Sequence, residues 1–316
     1  MIRILIVIFT LLSLLAAWVW LSYRRDIAAS YARIENVSSS IATPFGNLEY
    51  LTAEKKQLDV LMIHGAGGGF DQGELLAQEI LGEEFNWIAP SRFGYLKSDI
   101  RQGATVEEQA HTYAYLLDSL NVDQVAVVGV SAGGVSAYLF ALLYPQRVTS
   151  LTLISCGAAQ LPPEQVEEAE NVGRILTYVV QNDFVYWAVS NLFKRQLLNF
   201  LGADRQVIET LSPHQYDAIE RVIDYMNPAS VRYDGIMFDH HTQQLGKRIA
   251  AISHPTLIIH AQDDVLFPYE HAQFAAQTVP NARLLSFERG GHFVATVENI
   301  TVREEVRVHI ISGFEQ

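Results

Sequence analysis

Cysteine and positive charge are both scarce in this chain. Cys156 is the only cysteine among 316 residues, so no internal disulfide can form and the redox compartment stays open. Lys and Arg number 22 against 35 Asp and Glu, the formal net charge is −13, and no Lys/Arg-rich run occurs. Because nucleic-acid binding requires a basic patch that neutralises phosphates, this composition argues against a nucleic-acid partner.

The signatures of metal and phosphate sites are also missing. Asp239, His240 and His241 come closest to a metal cluster, but adjacent side chains on a helix or strand diverge and the chain has no His pair at i,i+4 spacing. The Gly-rich run 65–69 lacks the Gly-Lys-Ser/Thr ending of a P-loop and does not keep the G-x-G-x-x-G spacing. We therefore predict no metal and no other cofactor.

One long apolar run stands at the N-terminus. Residues 4–23 carry no charge and are rich in Leu, Ile, Val and Ala, which is enough to cross a hydrocarbon core of ~30 Å as a helix. Side chains suited to a membrane interface close the run: Trp18, Trp20, Tyr23, Arg24 and Arg25. We predict a retained single-pass anchor over residues 1–25. A cleaved signal peptide is the alternative, but its apolar core would be too long and Ala28-Ala29-Ser30 is a poor cleavage site.

Charges around this run favour a cytoplasmic catalytic domain by a small margin. Arg3 and the amino terminus compete with three later arginines that Asp26 partly offsets: Arg24, Arg25 and Arg33. Residues 26–44 are expected to form a juxtamembrane linker, with helix and linker running from Ile27 to Thr43.

A serine stands between a strand pattern and a helix pattern. The apolar run 124–128 is typical of a buried strand, Gly129-Val130-Ser131-Ala132-Gly133 follows it, and residues 137–143 favour a helix. In this context G-x-S-x-G indicates a nucleophile elbow, because the sharp turn lifts the hydroxyl clear of the sheet and needs small neighbours two positions away. The helix start adds free N–H groups where an oxyanion would form. We predict that Ser131 is the nucleophile of a hydrolase.

A serine nucleophile requires an orienting carboxylate and an imidazole base later in the chain. The buried-strand pattern 255–261 leads into Asp263 and Asp264, and the strand pattern 282–287 leads into Gly290-Gly291-His292. Because an open α/β sheet gathers its functional loops at the carboxyl ends of its strands, we expect these side chains to lie near Ser131.

These segments, with a Gly-rich loop after the strand pattern 60–63, resemble the α/β-hydrolase superfamily from about residue 45 to the C-terminus, with a gap in the middle. The resemblance implies that the acid is the second Asp of the pair, Asp264, with Asp263 as the alternative. It implies that His292, 28 positions after Asp264, is the base.

The same resemblance implies an oxyanion hole made by two backbone N–H groups. One belongs to Ala66 in the His-Gly loop, with the alternatives reaching to Gly68, and the other belongs to Ala132 in the elbow. Glycines suit this loop because they let the backbone approach a ligand closely. His64 precedes the loop and is interpreted as structural, since His292 already supplies the base.

A fourth segment departs from the family pattern. Residues 87–98 resemble the Ala-Pro-Asp-Arg-x-Gly-x-Gly-x-Ser loop, but Ser91 replaces the Asp and Leu96 replaces the second Gly. This leaves the fold prediction intact and puts the hydrogen bonding of the loop in question.

The alternation of strand and helix patterns predicts an α/β fold, with a mostly parallel sheet of the eight-stranded α/β-hydrolase type and helices on both faces. The core is expected over residues 45–157 and 249–316. Between them, 158–248 shows no strand signal and is expected to form a helical cap, with helices over Glu164–Val180, Phe184–Phe200, Asp204–Thr210 and Pro213–Tyr225. A cap above Ser131 would exclude water and supply an apolar acyl-binding wall.

The function predicted from these features is a membrane-anchored serine hydrolase of carboxylic esters, with Ser131, His292 and Asp264 as its triad. The anchor, apolar cap and motif set are similar to membrane-bound monoacylglycerol-lipase-like members, which implies lipid or acylglycerol esters as substrates. A carbon–carbon bond hydrolase or a lactonase would use the same three residues. A binding module that keeps the fold without catalysis is the alternative of another class, although such proteins usually lack one triad member.

Overall fold

The computed structural model describes residues 2–53, 58–160, 177–202 and 205–315. Its centre is an eight-stranded sheet in the spatial order β1-β2-β4-β3-β5-β6-β7-β8. The strands are β1 Ser39–Thr43, β2 Gly46–Thr52, β3 Asp59–Ile63, β4 Asn86–Pro90, β5 Val125–Val130, β6 Val148–Ile154, β7 Thr256–Ala261 and β8 Ala282–Phe287.

The direction of the strands confirms a mostly parallel sheet. Only β1 with β2 and β2 with β4 pair antiparallel, whereas β4, β3, β5, β6, β7 and β8 are parallel to one another. The chain leaves β3 to one side to form β4 and later returns on the other side as β5. This reversal opens a crevice at the carboxyl ends of β3 and β5, where ligands bind in open α/β sheets.

Helices cover both faces of the sheet, as predicted. One face carries α3 Val106–Ser119, α4 Gly134–Leu143 and α10 Glu270–Thr278, and the other carries α2 Phe70–Ile80, α11 Val294–Val297 and α12 Asn299–Phe314. Alternate residues of the central strands enter opposite layers: Leu61 and Ile63 of β3 face the first layer, and Val60 and Met62 face the second. Because β3 is buried on both faces, its sequence is apolar at successive positions.

The segment 26–44 begins with a helix, as expected, but it also contains a strand that the sequence did not predict. Helix α1 runs unbroken over Ile2–Ile34, and β1 then pairs antiparallel with β2. The predicted linker 26–44 therefore contains the end of a helix and a whole strand of the sheet. The short strand β1 lies at the sheet edge with little buried surface, which left only a weak pattern in the sequence.

Helix α1 has two unlike halves. Its N-terminal part is long and apolar enough to cross a membrane, with a mean hydropathy of 2.7 over an 18-residue window of which nothing is buried. Length and composition of this kind also fit a signal sequence. Its C-terminal part packs on the folded domain, where Ile27 and Ile34 are buried.

The cap lies between β6 and β7, and all of its regular secondary structure among the described residues is helical. Its helices are α5 Asp183–Leu192, α6 Lys194–Phe200, α7 Arg205–Thr210, α8 Pro213–Tyr225 and α9 Tyr233–His240. The single helix expected over Phe184–Phe200 is interrupted at Phe193, which has non-helical backbone angles. Most of the helix expected over Glu164–Val180 falls outside the described residues.

Candidate active site

Ser131 lies at the sharp turn between β5 and α4. Its φ of +53° is in the left-handed region, which is strained for a residue with a side chain and is typical of functional turns. A Cβ added at Gly129 would lie 2.7 Å from the Cβ of Ala137. A Cβ added at Gly133 would lie 2.5 Å from the carbonyl oxygen of His64. Backbone crowding therefore explains the two glycines that flank the serine.

The structure brings together the serine, histidine and aspartate predicted from the sequence. His292 Nε2 lies 2.8 Å from Ser131 Oγ, and His292 Nδ1 lies 2.9 Å from Asp264 Oδ2. The carboxylate accepts a hydrogen bond from Nδ1–H, which leaves Nε2 free to accept the proton of the serine hydroxyl. The three side chains therefore form one continuous relay from carboxylate to hydroxyl.

The two neighbouring aspartates make different contacts. Asp264 Oδ1 accepts hydrogen bonds from the N–H groups of Leu266 and Phe267, at 2.9 and 3.1 Å, while Oδ2 faces His292. Asp263 instead accepts a hydrogen bond from the N–H of Gly291 at 2.8 Å. Asp264 therefore contacts the imidazole, and Asp263 holds the backbone of the loop that carries it.

Opposing effects act on the pKa of Asp264. Burial of its carboxylate acts to raise the pKa, but the charge and hydrogen bond of His292, followed by His260 and the N–H of Phe267, outweigh burial and lower it below the ordinary value. The carboxylate is therefore ionised at neutral pH and can stabilise an imidazolium on His292.

Two contacts that the sequence did not indicate hold His292 from the sides. The Phe267 ring stacks on the imidazole with a centroid distance of 5.7 Å and an interplanar angle of 26°. The N–H of His292 donates to the carbonyl oxygen of Gly202 in the cap at 3.3 Å. An added Cβ at Gly202 would lie 2.8 Å from His292 Cβ, so the cap backbone packs directly on the histidine.

The Gly-rich loop after β3 lies beside Ser131, and its N–H groups have different partners. The N–H of Gly67 donates to Tyr95 Oη at 3.3 Å, and that of Gly68 donates to the carbonyl oxygen of Gly65 at 3.3 Å. Among the residues that the structure describes, none accepts a hydrogen bond from the N–H of Ala66. Ala66 and Ala132 both line the cavity beside the serine.

His64 is fully buried behind this loop. Its Nδ1 lies 2.7 Å from the carbonyl oxygen of Gly65, and its Nε2 accepts a hydrogen bond from the N–H of Arg92 at 3.0 Å. Burial lowers the pKa of His64 well below its ordinary value, and the nearby charge of Arg92 acts in the same direction. The neutral ring therefore joins two loops of the site and has no free nitrogen for proton transfer.

In the loop 87–98, where Ser91 replaces the Asp of the family pattern, Glu49 on β2 supplies a carboxylate instead. Ser91 Oγ donates to Glu49 Oε2 at 3.0 Å and accepts from the N–H of Phe70 at 2.9 Å. Glu49 also accepts from the N–H of Lys97 at 3.1 Å. A buried carboxylate from another strand thus organises the loop, which answers the question raised by the substitution. Leu96 adopts a φ of +54°, in the region that the family glycine would suit.

A buried charge network lies on the other side of the Gly-rich loop 65–69. Arg92 makes a bidentate ion pair with Asp239 of the cap, at 2.5 and 2.6 Å. It also donates a hydrogen bond to the carbonyl oxygen of Gly65 at 3.0 Å. Tyr95 Oη donates to Asp239 Oδ2 at 2.5 Å. Asp239 is therefore committed to an ion pair, and no group of three or more His, Cys, Asp or Glu suited to a metal ion occurs among the described residues.

A cavity of about 720 Å³ opens above Ser131 and His292 between the core and the cap. Its wall is mainly apolar and includes Leu76, Val130, Ile154, Phe200, Leu201 and Met226. Asp239 and His240 are among its few polar lining side chains, and none of the described lining residues is Lys or Arg. Such a cavity suits an uncharged, mostly apolar ligand.

The sequence matches a known protein family and is similar to several known hydrolases. Residues 60–298 match the family model described as alpha/beta hydrolase fold. The chain is 26% identical over 261 residues to the uncharacterized hydrolase YcgS of Bacillus subtilis, covering 79% of this chain and 89% of that protein. It is also 26% identical over 264 residues to the 2-hydroxy-6-oxononadienedioate/2-hydroxy-6-oxononatrienedioate hydrolase of Paraburkholderia xenovorans, covering 78% of this chain and 84% of that protein.

A similar solved structure is a thermophilic esterase from Thermogutta terrifontis. It superposes with a TM-score of 0.68 at 22% identity and covers 87% of this chain and 98% of its own. At this identity the likeness concerns the fold.

Proposed function

We propose, since the chain belongs to the α/β-hydrolase fold family, that this hydrolase cleaves uncharged carboxylic esters through Ser131, His292 and Asp264. The observation that carries the proposal is the relay of two hydrogen bonds, 2.8 and 2.9 Å long, that ends at Ser131 beneath an apolar cavity. Nucleophile, base and orienting group with this geometry are what acyl transfer requires.

The reaction would proceed in two halves. Ser131 Oγ attacks the ester carbonyl while His292 Nε2 takes the hydroxyl proton, and Asp264 stabilises the resulting imidazolium. His292 then returns the proton to the leaving alcohol, and an acyl group remains on Ser131. In the second half a water molecule attacks this acyl-enzyme while His292 takes its proton. The acyl–Oγ bond breaks, His292 returns the proton to Ser131 Oγ, and the carboxylic acid leaves.

The N–H groups of Ala66 and Ala132 are the proposed donors to the oxyanion. The N–H of Ala66 has no acceptor among the described residues, whereas those of Gly67 and Gly68 are used within the protein. Ala132 lies in the first turn after the nucleophile, where backbone donors lack an intrahelical acceptor. Two such donors lining the cavity beside Ser131 would meet the requirement for oxyanion stabilisation.

A carbon–carbon bond hydrolase is the second candidate, and the name of the Paraburkholderia relative favours it. A dienedioate substrate carries two carboxylates, which would need cationic partners in a cavity shielded from water. The described cavity wall contains no Lys or Arg, and the carboxylate of Asp239 within it is already paired with Arg92. The charge of the cavity therefore favours an uncharged ester over a dicarboxylate.

We also propose that α1 is retained as a membrane anchor, which would make lipid or acylglycerol esters accessible substrates. The residues that follow the apolar part are built into the folded domain. Trp187 Nε1 donates to Asp26 at 3.1 Å, and Tyr31 Oη donates to Asp183 at 2.9 Å. Removal of the apolar part as a signal peptide by a cut before Asp26 would leave a free N-terminus within a helix that packs on the domain. A cut after Ala29 would remove the contact between Asp26 and Trp187.

A substrate panel on the full chain in detergent tests this proposal. It comprises p-nitrophenyl esters of increasing chain length, monoacylglycerols and a 2-hydroxy-6-oxo-dienedioate, each with wild type and Ser131→Ala. We expect wild type to hydrolyse the neutral esters and Ser131→Ala to lose on the order of 10⁴-fold or more in kcat. A higher kcat/KM for the dienedioate would assign the chain to carbon–carbon hydrolysis. Folded wild type with no turnover of any member would favour a binding module.

A further inference from the structure

The end of α1 enters a buried charge cluster behind the Gly-rich loop 65–69, which carries the proposed oxyanion donor Ala66 and is called the oxyanion loop below. Asp71, in the first turn of α2, pairs with Arg232 of the cap at 2.8 Å and with Arg33 of α1 at 3.2 Å. The side chains of Arg232 and Asp71 are 0% and 3% exposed, and that of Arg33 is 23% exposed. One carboxylate therefore joins three parts of the molecule: the N-terminal helix, the core and the cap.

Arg232 connects this cluster to the oxyanion loop. Its Nη1 donates to the carbonyl oxygen of Gly68 at 2.5 Å and to Asp71 Oδ1 at 3.0 Å. An added Cβ at Gly69 would lie 3.0 Å from the same Nη1 atom. The guanidinium thus packs against the loop that carries the N–H of Ala66, and its position is fixed through Asp71.

Arg33 also acts on the same loop indirectly, through the segment 225–227 of the cap. It donates to the backbone carbonyl oxygens of Tyr225, at 3.1 Å, and of Asn227, and its guanidinium lies over the Tyr225 ring at 4.2 Å. These contacts flank Met226, whose side-chain Cε would lie 2.4 Å from a Cβ added at Gly67, so the methionine packs directly on the loop. Arg33 therefore holds the backbone on both sides of the residue that covers the oxyanion loop.

We propose that Arg33 is a positioning residue for the oxyanion loop, so that the N-terminal helix helps to set the place of the Ala66 N–H. This inference rests on the proposed function. Oxyanion donors must lie about 2.7–3.1 Å from the developing charge, so a small displacement of the loop weakens transition-state binding more than substrate binding. Asp71 keeps Arg232 as its partner when Arg33 is neutralised, so the substitution leaves no unpaired carboxylate in the interior.

The test compares Arg33→Met with two matched controls in the full chain in detergent. Arg25→Met removes an arginine of the same helix that is 79% exposed. Arg221→Met removes another bridge between cap and core, the 2.8 Å ion pair with Glu79, which does not contact the oxyanion loop. The readouts are kcat and KM for p-nitrophenyl butyrate per titrated active site, and the Ki of a trifluoromethyl ketone, which adds to the serine and places an oxyanion in the hole.

For Arg33→Met we expect kcat to fall roughly tenfold, less than the 10²–10³-fold lost with a whole oxyanion donor, while KM changes by less than about twofold. The Ki of the ketone should rise by a factor similar to the loss in kcat, Arg33→Lys should recover part of both, and the controls should stay within about twofold of wild type.

Two results would overturn the inference. One is Arg33→Met with a lower Tm but an unchanged kcat per active site and an unchanged Ki, which would make Arg33 a stabilising residue only. The other is an equal loss of kcat in Arg221→Met, which would show that any bridge between cap and core has this effect. Failure of the proposed function would appear differently, as wild type without a titratable serine.

Discussion

The two sides of the cavity are built in different ways. On the core side, Ser131, Asp264 and His292 follow three parallel strands, and short backbone turns set their positions. On the cap side, the wall is apolar and is fixed by side chains from distant parts of the chain, such as the ion pairs of Asp239 with Arg92 and of Arg232 with Asp71. Under the proposed function the core would supply the reacting groups, whereas the cap would select the substrate and hold the loops.

The largest effect expected from this comparison concerns two adjacent residues on the core side. Asp264→Asn should lower kcat by on the order of 10⁴-fold, because an amide in place of the carboxylate favours the wrong imidazole tautomer. Asp263→Asn should cost roughly tenfold or less, since Asp263 holds the N–H of Gly291 and does not contact the ring. Steady-state kinetics with p-nitrophenyl butyrate measures both. Equal losses would contradict the separate roles of the two residues.

The next effect concerns the seam between core and cap. His271 Nδ1 accepts hydrogen bonds from the N–H groups of Ala158 and Ala159, at the start of the cap, and burial lowers the pKa of His271 to about 4. Because this value lies below the 6.5 of an unfolded histidine, the unfolded chain binds the proton more readily between these values. The stability that His271 contributes is therefore complete above pH ~6.5 and is lost as the pH falls toward ~4, by no more than about 3 kcal/mol.

Thermal unfolding of wild type and His271→Gln between pH 4 and 8 tests this linkage. Glutamine keeps an acceptor oxygen and does not titrate in this range. We expect a shallower fall of Tm at low pH in the variant than in wild type. Parallel curves would show that His271 is not a source of the acid sensitivity.

The smallest effect concerns the charge of the cap wall. Thr177 lines the cavity at a half-buried position, so an arginine there would add a permanent cation to a wall that has no Lys or Arg among its described residues. We expect Thr177→Arg to raise kcat/KM for p-nitrophenyl hemisuccinate relative to p-nitrophenyl butyrate by roughly fivefold, which corresponds to ~1 kcal/mol of charge attraction. Thr177→Gln is the uncharged control. A wild-type preference for the hemisuccinate would contradict the charge argument itself.

The difference between the core and cap sides also determines which features can be predicted from the sequence. The parallel core strands are apolar at successive positions and end in short motifs, so the sequence predicts the fold correctly and singles out three side chains that the structure brings together, Ser131, Asp264 and His292. The roles of these three residues stay predictions. Local patterns of this kind depend on neighbours within a few positions.

Contacts between distant positions left no such pattern. Arg33 and Asp71 are 38 positions apart, and Asp71 and Arg232 are 161 apart, so nothing in the sequence joins them. Glu49 could be recognised as a partner of Ser91 only once β2 was seen beside β4. The missing Asp in the segment 87–98 was the one signal that a carboxylate had to come from elsewhere.

Fluorophosphonate labelling of the folded full chain, followed by peptide mapping, tests the central claim most directly. We expect a single adduct on Ser131 in wild type, none in Ser131→Ala, and labelling slowed by on the order of 10³-fold or more in His292→Gln, because the hydroxyl then lacks its base. Absence of an adduct on folded wild type, or undiminished labelling of Ser131→Ala at another serine, would contradict the claim that Ser131 is an activated nucleophile.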